Sequence, residues 1–227
     1  MRIDILTLFP EMFTPLFSSI MGRATKDGKL EINVINIRDF SKDKHKKCDD
    51  YTFGGGPGML MMPQPIYDAI VSIPNYKQAH KIYVSPKGVV FNQKMSKEMA
   101  SSYEHIIILC GHYEGVDQRI IDLLIDEEIS IGDYVLTGGE LPAMVIVDSV
   151  SRHIEGVLHS GESAEIESFE NGLLEYPQYT KPREFMGLSV PDVLISGDHK
   201  KVDKWRLDQA QKITRQRRPD LMNEDKG

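Results

Sequence analysis

Short apolar runs alternate with segments of helical periodicity along the first two-thirds of the chain. The apolar runs are typical of buried strands and cover residues 3–9, 30–37, 81–85 and 105–110. The segments with helical spacing cover residues 11–21, 65–73, 93–102 and 117–125. This alternation predicts an α/β domain with a mainly parallel sheet.

The segment 131–142, IGDYVLTGGELP, is the most informative part of the pattern. Its glycines let the backbone approach a ligand closely, and Pro142 can open the helical run 143–152. No Lys-Ser or Lys-Thr pair follows the glycines, and the GxGxxG spacing of a dinucleotide site is absent. We therefore expect a tight loop around a bound molecule that is not a nucleoside triphosphate.

Three segments rich in Gly or Pro, 85–88, 110–115 and 131–142, lie at or after apolar runs. Ligands of open α/β sheets bind beyond the carboxyl ends of the strands, so these segments are expected to share one pocket. They offer backbone amides, Tyr83, Tyr113, Tyr134 and Glu114 but few cations, which suits an adenosine-bearing cofactor without phosphates. The alternative is that the tyrosines are core residues and the glycines only form turns. The coincidence of three such segments favours a site.

A second glycine-rich loop, YTFGGGPGML, spans residues 51–60. Its four glycines around Pro57 suit close contact with a bulky ligand or another subunit. A surface loop without a site would have the same composition.

Composition and charge narrow the class of protein. The chain has 227 residues, of which 41% are hydrophobic, enough for one large domain with or without a small second one. No apolar run reaches membrane-spanning length, the amino terminus resembles a strand and not a signal peptide, and Cys48 and Cys110 do not suggest a disulfide framework. We expect a soluble, cytoplasmic protein.

The net charge of −7 disfavours a generally basic nucleic-acid binder, but the charge is unevenly distributed. Residues 111–176 contain 15 acidic and 2 basic side chains, whereas residues 181–218 contain 10 basic and 5 acidic ones. Residues 38–47 add 5 basic and 2 acidic side chains. Two basic regions on an acidic chain fit a polyanion footprint on one face, or ordinary solvated surface.

The carboxyl-terminal third is organised differently. Residues 156–168 are rich in Gly, Ser, His and Glu, as in a linker, and residues 200–214 show a helical pattern with a basic exterior. We predict a large α/β domain with the ligand pocket over residues 1–158, a flexible linker over 159–170, and a small helical domain over 171–227. His112, His153 and His159 lack the spacing of metal ligands, so no metal site is predicted.

Six motifs, taken together, resemble the TrmD family of bacterial tRNA (guanine-N1) methyltransferases. They are LFPEMF at 8–13, GGGPGML at 54–60, CGHYEG at 110–115, IGDYVLTGGELP at 131–142, DSVSR at 148–152 and EYPQYT at 175–180. The resemblance covers nearly the whole chain in the same order.

This resemblance implies a methyltransferase of the SPOUT class that uses S-adenosylmethionine. It implies a deep trefoil knot towards the end of the large domain, and a homodimer whose active sites are shared between subunits. The cofactor-binding residues it implies are Tyr83, Val84, Ser85, Pro86, Gly111, Glu114, Ile131, Gly132, Tyr134, Leu136, Gly138 and Gly139.

The substrate implied by the resemblance is guanosine 37 of a tRNA with guanosine at position 36. Guanine N1 carries a proton that must be removed; a carboxylate near N1 could serve as the base, and a cation near O6 would hold the developing charge. The resemblance makes Arg152 the cation. The family has Asp before Ser-Phe; here Glu167 precedes Ser168-Phe169, and Glu165 is the second candidate.

The resemblance also implies that the anticodon stem-loop binds the basic carboxyl-terminal domain, and that Mg²⁺ supports the reaction. Lys181, Arg183, Lys204 and Arg206 are the candidate phosphate contacts, assisted by residues 38–47. No membrane or DNA partner is expected.

Three other functions remain open from the sequence. A SPOUT enzyme acting elsewhere in RNA, such as at a ribose 2′-oxygen, would also need a base. A non-catalytic RNA-binding module would account for Glu167 replacing Asp. A metabolic α/β enzyme would bind ATP or NAD and ignore RNA.

Overall fold

The computed structural model describes residues 1–158, 168–169 and 171–222. The chain forms two units, Met1–His159 and Ser160–Gly227. The boundary falls at the start of the predicted linker, of which the structure describes only Ser168 and Phe169. Each unit is described by itself.

Five of the described strands in the first unit form one parallel sheet. They are β1 (Arg2–Thr7), β2 (Glu31–Asn36), β5 (His80–Val90), β6 (His105–Cys110) and β7 (Glu127–Ser130). Their order is β2-β1-β6-β5-β7, and every neighbouring pair is parallel. The predicted α/β class and parallel sheet are therefore confirmed.

Helices cover both faces of this sheet, as a parallel sheet requires. They are α1 (Ser19–Lys26), α2 (Pro63–Ser72), α3 (Gln93–Ser102), α4 (Gln118–Leu124) and α5 (Glu140–Ser151). Strand β6 shows the arrangement most clearly. Ile106 and Ile108 belong to the core that contains residues of α1, α3 and α5, whereas Ile107 and Leu109 belong to the core that contains residues of α2 and α4. Alternate side chains of a central strand thus fill two separate cores.

The prediction of one continuous helix over residues 11–21 is wrong. The structure has a 3₁₀ helix, Pro10–Phe17, followed by α1, with Ser18 extended between them at φ −116° and ψ 168°. Pro15 lies inside the first piece and has no amide hydrogen to donate. The chain therefore turns between two short helices where the apolar pattern alone suggested one.

In the first unit, two other boundaries differ from the sequence prediction by more than two residues. Strand β5 does not end at Ser85 but continues to Val90, with an irregular register between Val84 and Val89. Within this irregularity Gly88 lies against the backbone of β7, where a β-carbon would overlap Glu128. Helix α5 begins two residues before Pro142, which is tolerated because first-turn amides need no partner within the helix.

The second unit is small and mainly helical in its described part. Helix α6, His199–Arg217, is its longest element, and Asp198 caps it by accepting a hydrogen bond from the Lys201 amide at 3.2 Å. A two-stranded hairpin, β8 (Glu184–Phe185) with β9 (Leu188–Ser189), precedes it, and 3₁₀ helices lie at Asp192–Ile195 and Pro219–Met222. Among the described residues of either unit, no helix has both the length and the apolar character needed to cross a membrane.

Candidate active site

A cavity of about 360 Å³ opens at the carboxyl ends of β5, β6 and β7. This is the edge at which parallel α/β sheets bind ligands. All twelve residues predicted to bind the cofactor line it: Tyr83, Val84, Ser85, Pro86, Gly111, Glu114, Ile131, Gly132, Tyr134, Leu136, Gly138 and Gly139. The three segments singled out in the sequence therefore meet at one place.

Two glycines bring the loop before α5 into direct contact with the end of β6. The Gly139 amide donates a hydrogen bond to the Gly111 carbonyl at 2.8 Å, and Gly138 forms an isolated antiparallel bridge with His112. A β-carbon on Gly139 would lie 2.6 Å from Cγ2 of Val84 and 2.8 Å from Cα of Cys110. Since real β-carbons do not approach so closely, only glycine permits this contact.

Tyr83 fills the space beneath Gly111. A β-carbon on Gly111 would lie 2.8 Å from the Tyr83 hydroxyl oxygen, so this glycine also permits a close approach. Burial, with a smaller contribution from the charge of Glu128, raises the pKa of Tyr83 to about 12, although a hydrogen bond with the backbone of Val116 opposes the shift. Tyr83 is therefore a neutral phenol at physiological pH and serves as part of the cavity wall.

A buried carboxylate anchors the start of α5. Glu140 is only 2% exposed, and its Oε1 accepts a hydrogen bond from the hydroxyl of Thr7 at 2.8 Å. The same hydroxyl accepts a hydrogen bond from the Phe9 amide at 2.9 Å. Burial and the nearby Glu140 charge raise the pKa of Cys110 well above its usual value, so this thiol is not a nucleophile at neutral pH.

The second glycine-rich loop lies beside the same cavity. Strands β3 (Asp49–Tyr51) and β4 (Met59–Met61) form the hairpin that carries it. The Glu114 amide donates to the Met59 carbonyl at 3.0 Å, and the Met61 amide donates to the Gly115 carbonyl at 2.9 Å. A β-carbon on Gly58 would overlap the Glu114 carboxylate, so the Glu114 side chain packs directly against the backbone of the loop at Gly58.

The charges on the cavity wall suit a cation. Glu114 and Glu128 are its carboxylates, and Lys87 is its one lysine or arginine among the described residues. Glu128 and Ser130 were missed as wall residues because the sequence Glu127–Ser130 contains a single large apolar residue and gave no strand signal. Their position follows from the pairing of Tyr83 with Glu128 across β5 and β7.

Of the two predicted catalytic residues, the structure describes only Arg152, and Arg152 does not reach this cavity within its own chain. Arg152 is the residue at the carboxyl-terminal cap of α5 and does not line the cavity. Pro142 does line it and lies ten residues earlier, which corresponds to about 15 Å along the helix. Glu167 and Glu165 lie outside the described residues.

The candidate phosphate contacts of the second unit differ in their surroundings. Lys181 and Lys204 are exposed. Arg183 forms a surface ion pair with Asp192 at 2.9 Å, and the Arg206 guanidinium lies 5.1 Å from the centre of the Tyr176 ring. Residues 1–158, 168–169 and 171–222 contain no group of three or more His, Cys, Asp or Glu side chains arranged to hold a metal ion.

The parallel sheet, with a cavity lined partly by glycines at its carboxyl edge, defines an α/β protein with a candidate small-molecule site. The model of the family described as "tRNA (Guanine-1)-methyltransferase TrmD" matches residues 1–224. The chain belongs to this family of SPOUT-class enzymes, and we conclude that it methylates guanine in tRNA.

Relatives with the name of the same activity match the chain over nearly its full length. The tRNA (guanine-N(1)-)-methyltransferase of Clostridioides difficile strain 630 is 59% identical over 225 residues, or 97% of both chains. That of Ruminiclostridium cellulolyticum is 59% identical over 98% of this chain and 97% of its own. That of Lactiplantibacillus plantarum is 53% identical over 98% and 91%, respectively.

Gly139→Ala tests the close approach between the loop and β6. The added methyl group must displace the loop from Val84 and Cys110, and a displacement of about 1 Å is expected to lower the methylation rate about 100-fold. The measurement is the rate of tRNA methylation together with thermal unfolding. Gly28→Ala is the control, since Gly28 has a positive φ but no atom within 4 Å of an added β-carbon. Equal rates in the two variants would contradict the account.

Proposed function

We propose that this protein transfers the methyl group of S-adenosylmethionine to N1 of guanosine 37 in tRNAs that carry guanosine at position 36. The reaction takes place in the cytoplasm. The observation that carries the proposal is the acidic, glycine-built cavity, which fits a cationic cofactor without phosphates, in a chain of a tRNA guanine methyltransferase family.

The cavity fits this cofactor in size and charge. A volume of about 360 Å³ lies in the usual range for a small-molecule site. Bound S-adenosylmethionine supplies an electrophilic methyl group on a positively charged sulfur. The glycine-rich segment 131–139 would hold the adenosine by its backbone, and Glu114 would accept hydrogen bonds from ribose hydroxyls or the amino group.

The protein's own groups must then handle a proton and a developing negative charge. Glu167 is the proposed base that removes the N1 proton of guanine, with Glu165 as the second candidate. Arg152 is the proposed cation that stabilises charge at O6. Glu has one more methylene than the Asp implied by the family pattern. In this proposal the backbone of residue 167 therefore lies slightly farther from guanine N1 than that of an Asp would.

We further propose that the active site is shared between two subunits of a homodimer. Arg152 lies about 15 Å along α5 from Pro142, the nearest cavity residue of that helix, which is too far for its own side chain to span. A partner subunit would bring Arg152 and Glu167 to the cavity of the first. The deep trefoil knot towards the end of the large domain is part of the same proposal and rests on the family resemblance.

The anticodon stem-loop is the proposed partner of the second unit. Lys181 and Lys204 are exposed and available to phosphates, and Arg183 could exchange its surface ion pair with Asp192 for a phosphate. Residues 38–47 would assist from the first unit. The target base must leave its stack to reach the cofactor, and Mg²⁺ would support the reaction.

The direct test is incubation with S-adenosylmethionine and an unmodified tRNA transcript with guanosines at positions 36 and 37. Methylation of N1 removes a Watson–Crick donor, so reverse transcription should stop next to position 37. A transcript with adenosine at position 36 is the control and should give little stop. Label transfer without a stop would indicate methylation elsewhere, such as at a ribose, and no transfer at all would contradict the proposal.

Subunit sharing has its own test, in which two inactive variants are combined. Glu167→Gln removes the base, and Gly139→Ala disrupts the cofactor site. In a heterodimer isolated with two different affinity tags, one site would combine an intact cavity with an intact base. Each homodimer should be nearly inactive, whereas the heterodimer should recover roughly half of the wild-type activity because one of two sites is restored. An inactive heterodimer would mean that each base serves its own subunit.

A further inference from the structure

The segment that follows the proposed base is fastened to helix α6. The Leu174 amide donates a hydrogen bond to the Thr214 hydroxyl at 2.8 Å, across 40 residues of sequence. Thr214 is fully buried, and its hydroxyl also donates to the Ala210 carbonyl at 2.7 Å. One hydroxyl therefore joins the helix to the segment 168–175.

This segment is itself a closed turn. The Phe169 amide donates to the Leu173 carbonyl at 2.8 Å, and the Glu175 amide donates to the Ser168 hydroxyl at 3.0 Å. Phe169 has a φ of 78°, a conformation that a bulky side chain adopts only when its surroundings enforce it. The turn begins at Ser168, the residue directly after Glu167 in the sequence.

A second contact fixes the same turn from the end of α6. The Arg218 guanidinium lies 5.8 Å from the centre of the Phe169 ring, within the range of a cation–π interaction. Its Nε donates to both carboxylate oxygens of Asp220 at 3.0 Å, so the guanidinium is oriented. The turn is therefore held near residue 214 and near residue 218.

The needs of the helix alone do not explain why threonine occupies position 214. Threonine is a weaker helix former than alanine because its branched side chain is restricted. The bond from its hydroxyl to Ala210 is a common local interaction that adds little to a helix. What distinguishes this position is the Leu174 bond, which a buried alanine or valine could not make.

We propose that Thr214 is a positioning residue for the base Glu167, acting through the turn 168–175. The inference rests on the proposed function. A general base must lie within hydrogen-bond reach of the proton that it removes, so the place at which the chain enters residue 168 affects the rate. The same helix carries the candidate tRNA contacts Lys204 and Arg206. Helix α6 would thus hold both the substrate and the segment that presents the base.

The test compares Thr214→Val with Thr214→Ser in the full-length protein. Valine keeps the shape but removes the hydroxyl, whereas serine keeps the hydroxyl. Under single-turnover conditions with saturating S-adenosylmethionine and tRNA, we expect the methyl-transfer rate of the valine variant to be lower than that of the wild type by a factor of about ten or more. The Kd values for both ligands should change by less than about twofold, because neither binding surface has changed. The serine variant should restore most of the rate.

Ser168→Ala provides an independent variant with a matched control. The Ser168 hydroxyl accepts the Glu175 amide, and the exposed Ser196 hydroxyl similarly accepts the Asp198 amide at 3.2 Å in the same unit. Ser168→Ala should slow transfer, whereas Ser196→Ala should not. This comparison tests the role of the turn 168–175 even if Thr214→Val fails to fold.

Three results would overturn the inference. They are a wild-type rate in Thr214→Val, a slow rate that serine does not restore, and a loss that comes entirely from weaker tRNA binding. Each leaves the proposed function intact, because the wild-type protein still methylates N1. A wild-type protein without N1 methylation would instead remove the proposed function, and this inference with it.

Discussion

The contact between the loop at Gly138 and Gly139 and the end of β6 determines the rest of the site. The Gly139 amide bonds to the Gly111 carbonyl at 2.8 Å, and no side chain fits at position 139. This contact fixes one wall of the cavity and sets where α5 begins. The Thr7–Glu140 bond then ties the first residue of α5 to the end of β1, so that three neighbouring parts of the fold are held together.

The same construction explains the chemistry of the cavity. Glycines form part of the wall, and backbone amides and carbonyls there would match the edges of a purine and the hydroxyls of a ribose in the proposed cofactor. Its charged side chains are mainly carboxylates, so phosphate groups would be repelled and a sulfonium favoured. The proposed base and cation, Glu167 and Arg152, come later in the sequence than the segments that line the cavity. A shared dimer site and a base-bearing turn fixed by Thr214 are two ways in which the protein could bring them in.

Much of this architecture could be predicted from the sequence. Where the periodicity is strong, as in residues 93–102 and 105–110, the predicted bounds are those of α3 and β6. The meeting of three loops followed from the rule for parallel strands. Strand β7 could not be predicted because Glu127–Ser130 offers little apolar pattern. The break before Ser19 could not be predicted either, because the helical apolar pattern continues across it. The Thr7–Glu140 and Leu174–Thr214 bonds join residues far apart in sequence, so no local pattern reports them. The roles of Glu167 and Arg152 rest on resemblance and remain predictions.

We propose that the cavity binds a cationic nucleoside cofactor and not a phosphorylated one. Calorimetric titration of the purified protein with S-adenosylmethionine, ATP and NAD distinguishes the two. We expect S-adenosylmethionine to bind, and we expect a tenfold excess of ATP or NAD to leave its Kd unchanged. Gly139→Ala should lose this binding. Comparable or tighter binding of ATP or NAD in the same cavity would contradict the account.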